Sequence, residues 1–410
     1  MKILVLNCGS SSVKYQVFDM STESSLASGI VEEVGLSRPS MTHRRPGYEK
    51  LVWTNIHVAD HKAAIRLVLD TLLDKQHGVI QSVNEIDAVG HRVVHGGERF
   101  AQSSLINDEV MQALRDNIEL APLHNLPNIH GIEAIASLLP STPQVAVFDT
   151  AFHQTMAPEA FLYALPYKYY KKYGIRRYGF HGTSHQYVAH RAAEYLRRPI
   201  EDLKIITCHL GNGASITAVQ AGKSVDTSMG YTPLEGLPMG TRCGDIDAAI
   251  VPFLMEKEGL DRAGIDHLLN KESGVLGLSE IASDMRVFEE AINNGPSDPR
   301  YERSMLVLRL YTRRIRKYIG AYAAVMGGLD CVVFTGGIGE NFAKISQWVC
   351  EGLDFLGIHG VVGHRAEGRI VEVSAPNSPV KVLIIPTNEE LAIARDTMAL
   401  VRKQGLQENR

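Results

Sequence analysis

The stretch Ile3-Leu-Val-Leu-Asn-Cys-Gly-Ser-Ser-Ser-Val-Lys-Tyr-Gln-Val17 decides the fold of this chain. Two β-rich runs, Ile3–Leu6 and Val13–Phe18, enclose a polar segment with one glycine, which predicts a β-hairpin with a tight turn. The stretch Ile205-Ile-Thr-Cys-His-Leu-Gly-Asn-Gly-Ala-Ser-Ile-Thr-Ala-Val219 repeats this pattern. The repeat indicates two similarly folded lobes with equivalent turns, and two unrelated hairpins are the alternative.

Strand-like and helical patterns alternate over most of the remaining chain, which predicts a mixed α/β protein. The predicted helices are His61–Lys75, Gln186–Arg197, Tyr301–Met326 and Glu389–Arg402, and the predicted strands are Ile86–Val94, Gln144–Phe148, Cys331–Phe334 and Val380–Ile385. Capping-box patterns begin at Thr183 and at Thr387. The second pattern ties Glu390 to the backbone of Thr387 and leaves Glu389 unexplained by capping.

Composition excludes several classes of protein. With 42 Lys and Arg against 46 Asp and Glu in 410 residues, the net charge of −4 gives no general reason to bind nucleic acid or an anionic membrane. Five scattered cysteines without a C-x-x-C pair fit neither a disulfide framework nor a zinc site. No apolar run approaches the ~18 residues of a membrane span. We expect a cytoplasmic protein, without a nucleic-acid or membrane partner.

Glycine-rich turns follow three of the predicted strands. Glycine makes up 36 of the 410 residues, slightly above the usual share of about 7%. Turns of glycine and small hydroxyl residues let backbone N–H groups approach a phosphate. Such turns occur at Gly9–Lys14, Gly211–Gly213 and Gly336–Gly339, while Walker A and Rossmann patterns are absent. Taken singly, each turn is better explained by a structural role, but the three together favour a nucleotide held between lobes.

Polar residues within apolar or glycine-rich segments are the candidates for chemistry. Arg92, inside a predicted strand, needs an anionic partner, either a protein carboxylate or a substrate. His181 precedes a predicted helix, where the helix dipole favours anions, and an ordinary residue beside a helix N-cap is the alternative. Asp149 ends a predicted strand, where the sites of α/β proteins collect. A carboxylate such as Glu389 near the amide of Asn7 suits Mg²⁺, which needs few protein oxygens.

Eight motifs of this sequence resemble those of the acetate kinases, in order from Lys2 to about Arg395. They are Asn7–Lys14, Gly90–Gly97, Asp149–His153, Gly179–His185, His209–Gly213, Gly240–Arg242, Phe334–Asn341 and Pro386–Glu390. The resemblance implies a two-lobed, actin-like (ribonuclease H-like) α/β fold with a duplicated βββαβαβα-type core and an interlobe cleft. It implies an N-terminal lobe of residues 1–150 plus 386–410 for acyl substrate, metal and phosphates. Residues 151–385 would form a C-terminal lobe for nucleotide binding and dimerisation, and the chain would act as a homodimer.

The resemblance also implies roles for individual residues. It assigns Mg²⁺, with Mn²⁺ as an alternative ion, to Asn7 and Glu389, the substrate carboxylate to Arg92, and catalysis to Asp149, His181 and Arg242. A small apolar pocket for the substrate methyl group would consist of Val94, Leu123, Phe180 and Pro233. The ATP or ADP contacts would be Lys14, His209, Leu210, Gly211, Asn212, Gly213, Asp284, Met285, Arg286, Gly337, Ile338, Gly339, Glu340 and Asn341.

The implied reaction is reversible, in-line transfer of the ATP γ-phosphoryl group to acetate, which yields acetyl phosphate and ADP. Acetate is already ionised, so Asp149 is expected to orient a cation or metal-bound water rather than to remove a proton. A propionate or butyrate kinase is the nearest alternative, because one methylene changes binding by only about 1–3 kcal/mol. An actin-like regulatory or filament-forming ATPase is the alternative from another class, but it has no need of cations facing a second anion.

Overall fold

A computed structural model describes the backbone of residues 1–118 and 122–408 and the side chains of residues 1–118 and 125–405. The chain divides into two compact units, which we call unit 1 (Met1–Phe152 with Asn388–Arg410) and unit 2 (His153–Thr387). The C-terminal helix thus belongs to unit 1, although it follows unit 2 in the chain. The functions assigned above to the two lobes stay predictions.

Unit 1 contains an eight-stranded sheet in the order β5-β4-β3-β2-β1-β6-β8-β7. Its strands are β1 (Lys2–Gly9), β2 (Ser12–Asp19), β3 (Ser24–Glu32), β4 (Ser40–Arg44), β5 (Leu51–Thr54), β6 (Ala88–Val93), β7 (Ser104–Leu105) and β8 (Gln144–Phe148). Its helices are α1 (His61–Leu73), α2 (Asp108–Asp116), α3 (Pro122–Leu138) and, at the C-terminus, α14 (Glu389–Glu408). The predicted first hairpin is confirmed, and its strands extend into the polar segment as far as Gly9 and Ser12.

Helices cover both faces of the central strands, so these strands are apolar on both sides. Leu4 and Leu6 of β1 belong to a core cluster with residues of α1 and α3. The alternate residues Ile3 and Val5 belong to a second cluster with residues of α14. The period of two along a strand therefore fixes which layer each residue enters.

Gly90 in β6 lets α14 lie directly on the sheet. A Cβ at this position would be 2.4 Å from Oγ1 of Thr397 and 2.7 Å from a side-chain carbon of Ile393. Only glycine permits this approach. The close packing sets the position of the start of α14, which carries Glu389, relative to Arg92 in β6.

Unit 2 contains a six-stranded sheet in the order β11-β10-β9-β12-β14-β13. Its strands are β9 (Lys204–Leu210), β10 (Ala214–Gln220), β11 (Lys223–Thr227), β12 (Cys331–Thr335), β13 (Val371–Glu372) and β14 (Lys381–Ile384). Its helices are α4 (Pro158–Phe161), α5 (Tyr167–Tyr173), α6 (Gly182–Leu196), α7 (Ile250–Glu258), α8 (Arg262–His267), α9 (Gly274–Ser279), α10 (Met285–Asn294), α11 (Tyr301–Met326), α12 (Gly336–Asn341) and α13 (Lys344–Cys350).

The two sheets share a five-stranded core. In unit 1 the order β3-β2-β1-β6-β8 joins two antiparallel pairs to two parallel pairs. In unit 2 the order β11-β10-β9-β12-β14 has the same directions throughout. The alternative of two unrelated hairpins is therefore wrong, because each hairpin occupies the same place in its sheet.

The predicted start of α6 and the predicted cap of α14 are wrong, whereas α14 begins at Glu389 as predicted. Helix α6 begins at Gly182, with His181 rather than Thr183 at its N-cap, so Thr183 lies inside the first turn. At the start of α14 the side chain of Asn388 accepts the N–H of Leu391 over 3.0 Å. The hydroxyl of Thr387 instead bonds to Ser184. In both places contacts to other elements override the local capping preference.

No helix in the described part of the chain has the length and apolarity needed to cross a membrane.

Candidate active site

An ion pair lies at the ends of two neighbouring strands of unit 1. Arg92 is in β6, and Asp149 directly follows β8, which runs parallel to β6 with Phe148 beside Val93. Nε of Arg92 donates to Oδ1 of Asp149 over 3.1 Å, and Nη2 donates to Oδ2. Asp149 is only 1% exposed. The expected anionic partner of Arg92 is, in this structure, a buried protein carboxylate held in two-point geometry.

Two more oxygen-bearing side chains surround the same guanidinium. Nη1 of Arg92 donates to Oδ1 of Asn7 over 3.4 Å, and Nε lies 4.0 Å from Oε2 of Glu389. Burial raises the pKa of Glu389 to about 7, and the positive charge of Arg92 opposes this rise while Asp149 adds to it. Asn7, Arg92, Asp149 and Glu389 therefore form one cluster in unit 1.

The donor atoms of this cluster fit Mg²⁺. No group of three His, Cys, Asp or Glu side chains suited to a metal occurs among the described residues. Mg²⁺ commonly binds through one or two carboxylates and keeps several waters, so it does not require such a group. The amide oxygen of Asn7 and the carboxylate of Glu389, both within 4.0 Å of Arg92, are suitable ligands for it.

Lys14 stands opposite Asn7 in the register of the first hairpin. Both residues line a cavity of about 360 Å³, together with Arg44, Lys50 and Glu390. Glu32 lines the same cavity, so three cations face two carboxylates and the lining has a small positive excess that favours an anionic group. No motif in the sequence indicated Arg44 and Lys50, because they belong to β4 and the segment before β5, far along the chain from any glycine turn.

His181 adopts a backbone conformation that is unusual for its residue type. Its φ of 55° and ψ of 24° lie in the left-handed region at the N-cap of α6. For a residue with a Cβ this conformation costs about 1–2 kcal/mol. Such strain is typical of functional sites, where the surrounding structure imposes it.

Arg242 converges with His181 over the second glycine turn. A Cβ placed on Gly213 would be 2.7 Å from Nη2 of Arg242 and 3.4 Å from Nε2 of His181. Nη1 of Arg242 donates to the carbonyl of Pro233 over 2.6 Å, and burial lowers the pKa of the guanidinium. Within the described residues no carboxylate forms an ion pair with Arg242. Two nitrogen-bearing groups thus face one point, and among the described residues no carboxylate neutralises the charge of Arg242.

Imidazole rings and hydroxyl groups surround this point. His181 stacks on His209 with 4.3 Å between the ring centroids. Nδ1 of His181 lies 2.8 Å from Oγ of Ser215, and Nδ1 of His209 lies 2.8 Å from Oγ of Ser184. The Ser184 hydroxyl also bonds to that of Thr387 over 2.8 Å. Both rings of the stacked pair are therefore oriented by hydrogen bonds to serine.

A larger cavity in unit 2 brings together most of the predicted nucleotide contacts. Its volume of about 930 Å³ lies within the range of about 300–1,000 Å³ that is usual for small-molecule sites. The predicted residues that line it are Gly211, Asn212, Asp284, Met285, Arg286, Gly337, Ile338 and Asn341. Ser283, Glu289, Phe342 and Arg365 also line it, and no motif in the sequence indicated them.

The other predicted nucleotide contacts of unit 2 are His209, Leu210, Gly213, Gly339 and Glu340, which do not line this cavity. Oε1 of Glu340 accepts the backbone N–H of Gly336 over 2.9 Å and that of Thr387 over 3.1 Å. This carboxylate therefore supports the glycine turn, and a direct nucleotide contact for it stays a prediction.

The predicted methyl pocket is not assembled within either unit by itself. Val94 is buried in unit 1, and Phe180 is buried in unit 2, where Pro233 holds Arg242 through its carbonyl. The side chain of Leu123 lies outside the described residues. The pocket stays a prediction.

Cations and glycine turns gathered at strand ends, on two related sheets, are the features of a phosphotransferase with an actin-like fold. The family model described as "Acetokinase family" matches residues 2–395. The chain therefore belongs to the acetokinase family.

Similar proteins cover almost the whole chain. The acetate kinase of Alkaliphilus metalliredigens is 57% identical, over 98% of this chain and 100% of that protein. A crystal structure of Porphyromonas gingivalis acetate kinase matches with a TM-score of 0.93 at 50% identity, over 98% of this chain and 99% of that one. A propionate kinase from Francisella tularensis matches with a TM-score of 0.88 at 40% identity, over 97% and 99% of the two chains. The predicted actin-like α/β fold and the kinase class are thereby confirmed.

Proposed function

We propose that this chain catalyses reversible transfer of the ATP γ-phosphoryl group to acetate, and that it requires Mg²⁺. The observation that carries the proposal is the convergence of Arg242 and His181 over Gly213, where within the described residues no carboxylate pairs with the arginine. A partly buried cation of this kind is stabilised by a bound anion. A transferring phosphoryl group supplies that anion.

Unit 2 is assigned to the nucleotide. The cavity of about 930 Å³ is rimmed by Gly211 and Gly337, whose backbones permit close approach of a ligand. Nothing lies within 4 Å of a Cβ built on Gly337, so space remains on that side of the turn. The exposed ion pair between Asp284 and Arg286 borders the same cavity.

Unit 1 is assigned to the acyl substrate and the metal. The guanidinium of Arg92 is the group suited to a small carboxylate, and Asp149 holds this guanidinium at two points. Asn7 and Glu389 would hold Mg²⁺, which would neutralise charge on the phosphates. Lys14, Arg44 and Lys50 add positive charge in the neighbouring cavity.

The residues of unit 1 perform positioning rather than proton transfer. Acetate is ionised at neutral pH and carries no proton that a base must remove. Both oxygens of Asp149 are already engaged by Arg92, which supports an orienting role for this carboxylate. Positioning and charge neutralisation are the main requirements of phosphoryl transfer, with reacting atoms about 3–3.5 Å apart.

Trapping of the acyl phosphate by hydroxylamine tests the proposal. The chain is incubated with ATP, Mg²⁺ and either acetate, propionate or butyrate, and the hydroxamate is measured. We expect the highest kcat/KM with acetate and no product when a chelator removes Mg²⁺. Absence of hydroxamate with every acid would overturn the proposal. A preference for propionate, as the name of the Francisella tularensis relative indicates for that protein, would change only the substrate.

A further inference from the structure

A row of side chains continues from His181 into the interior of unit 2. Oγ of Ser215 lies 2.8 Å from Nδ1 of His181 and 2.7 Å from Nε2 of His185. Nδ1 of His185 lies 2.7 Å from Oγ1 of Thr207. His181 is the N-cap of α6 and His185 lies in the first turn of that helix, and both rings reach the same serine. Ser215 has so far been described only as a residue that orients His181, and His185 and Thr207 have been given no role.

The single hydrogen of the Ser215 hydroxyl constrains both rings. A hydroxyl group donates one hydrogen and accepts through its lone pairs. Ser215 can therefore donate to only one of the two ring nitrogens beside it, at 2.8 Å and 2.7 Å. The other nitrogen must carry a proton and donate to Ser215. The protonation of His181 is thus linked to that of His185.

His185 and Thr207 set the direction of this chain of hydrogen bonds. Both residues are fully buried, and burial holds the pKa of His185 well below its usual value, so the ring is neutral and has one N–H. Oγ1 of Thr207 donates to the carbonyl oxygen of Thr217 over 3.5 Å, because a carbonyl only accepts. Thr207 then accepts from Nδ1–H of His185, and Nε2 of His185 accepts the hydrogen of Ser215.

We propose that Ser215 and His185 are positioning residues that keep a proton on Nδ1 of His181. Ser215 has given its hydrogen to His185, so it accepts the Nδ1–H of His181. Nε2, the ring nitrogen 3.4 Å from a Cβ built on Gly213, then donates to an anion only when the ring carries a second proton. Ser215 accepts from the ring in both states, so this hydrogen bond keeps its direction whether or not Nε2 carries a proton.

This inference rests on the proposed function only where it gives His181 a role in phosphoryl transfer. If the phosphoryl group binds over Gly213, the relay makes His181 a cationic donor beside Arg242. The opposite direction of the relay would place a proton on Nε2 of a neutral His181 and leave Nδ1 as an acceptor. The two directions predict different tautomers, which can be measured without any substrate.

Long-range ¹H–¹⁵N correlation spectra of the chain, labelled with ¹⁵N in its histidine rings, measure the tautomer directly. The signals of His181 are assigned by their loss in His181→Gln. We expect the shift of Nδ1 to be that of a protonated nitrogen in the full chain without substrates. A protonated Nε2 with an unprotonated Nδ1 would overturn the proposal. The parent chain alone gives this answer, so it does not depend on any variant folding.

Substitutions at Ser215 test the positioning role. Ser215→Ala removes the acceptor, so we expect the Nδ1–H preference of His181 to be lost, whereas Ser215→Thr keeps the hydroxyl and should retain it. Ser224→Ala is the matched control, because Ser224 is also fully buried and bonds to another ring, Nδ1 of His153, over 2.8 Å. It should leave His181 unchanged.

Steady-state kinetics with ATP and acetate give the second measurement. We expect Ser215→Ala to lower kcat by about 10- to 100-fold, as loss of an orienting partner commonly does. The KM for acetate should change little, and Ser215→Thr should recover most of kcat. An unchanged His181 tautomer in Ser215→Ala would overturn the proposal, whatever the rate. Failure to form any hydroxamate, with the expected tautomer intact, would instead overturn only the proposed function.

Discussion

The two hairpins of this molecule occupy the same place in their sheets but carry different chemistry. The β1–β2 hairpin presents the side chains of Asn7 and Lys14, paired across the strands. The β9–β10 hairpin instead presents the turn Gly211–Gly213, where the lack of a side chain on Gly213 lets Arg242 approach the backbone closely. The shared topology therefore determines where a site can form, and the residues at the strand ends determine what it binds.

The difference extends to the charge around each site. In unit 1 the positive charge of Arg92 is compensated by Asp149 and Glu389. In unit 2 imidazole rings and hydroxyl groups surround Arg242 and His181, and no carboxylate among the described residues forms an ion pair with Arg242. At a site whose charges are already paired, a bound anion has to share the arginine with the protein carboxylates. An uncompensated site gains more from the arrival of an anion, and this contrast leads to four predictions.

Arg242→Ala should have the largest effect, because it removes the uncompensated charge of unit 2. We expect kcat to fall by about 10³-fold, the lower end of the range for an arginine that stabilises phosphoryl transfer. The KM for acetate should change far less, because the acetate carboxylate is assigned to Arg92 of unit 1. Steady-state kinetics with both substrates measure this split. The opposite pattern, with a raised KM and an unchanged kcat, would place Arg242 in substrate binding.

Arg92→Ala should instead destabilise unit 1. Asp149 is 1% exposed, so loss of its partner leaves a buried, unpaired carboxylate and should lower the free energy of unfolding by about 3–5 kcal/mol. Denaturant unfolding measures the loss, and addition of Asp149→Asn in the same chain should recover most of it without restoring activity.

Arg115→Ala is the matched control for that experiment. Its ion pair with Glu133 spans 3.0 Å, but both side chains are about half exposed, at 48% and 51%. Its loss should change the free energy of unfolding by less than about 1 kcal/mol. Equal losses in Arg92→Ala and Arg115→Ala would contradict a buried, compensated site in unit 1.

Much of the fold could be predicted because its elements are long and strongly patterned. The bounds of α11 (Tyr301–Met326) and β8 (Gln144–Phe148) agree with the prediction residue for residue. The start of α6 and the cap of α14 were missed for a specific reason. Ser184 bonds to both Thr387 and His209, so residues that favour caps in isolation serve tertiary contacts instead.

The residues of the site could be predicted where burial of one charged side chain without a partner would by itself be costly in free energy. Arg92 in a buried strand requires an anion whatever the register. Asp149 was a candidate for a different reason, because it follows a strand end, where the sites of α/β proteins collect. The link from His181 through Ser215 to His185 depends on the register of β9 with β10 and on the packing of α6. A single sequence does not contain that register, so the relay became visible only in the structure.

Gly213→Ala tests the close approach in the second hairpin. The new methyl group would meet Nη2 of Arg242 at 2.7 Å, so the guanidinium must move. A displacement of about 1 Å near the reacting group lowers rates by roughly 10²-fold, and we expect a loss of that size in kcat/KM for ATP.

Gly320→Ala, in the middle of α11 with nothing within 4 Å of the added atom, is the control. It should keep full activity and gain about 0.5–1 kcal/mol of stability. Equal kinetics in the two variants would contradict the assigned phosphoryl position.

The smallest expected effect is on the pH dependence of the free energy of unfolding, and it comes from Glu389 in the site of unit 1. Burial raises the pKa of Glu389 from 4.5 to about 7, so between these values the folded chain holds a proton that the unfolded chain has released. The free energy of unfolding of the metal-free chain should therefore fall as pH rises through this window. Since 21% of the side chain remains exposed to water, we expect a contribution of only about 1–2 kcal/mol.

Glu389→Gln removes the titrating group and should flatten this part of the curve, whereas Glu133→Gln, at the exposed ion pair with Arg115, should leave it unchanged. A curve for Glu389→Gln that coincides with that of the parent chain from pH 4.5 to 7 would show that the carboxylate is already compensated by Arg92 without taking up a proton. That outcome would make the contrast between the two sites sharper still, because unit 1 would then be neutralised by its own side chains alone.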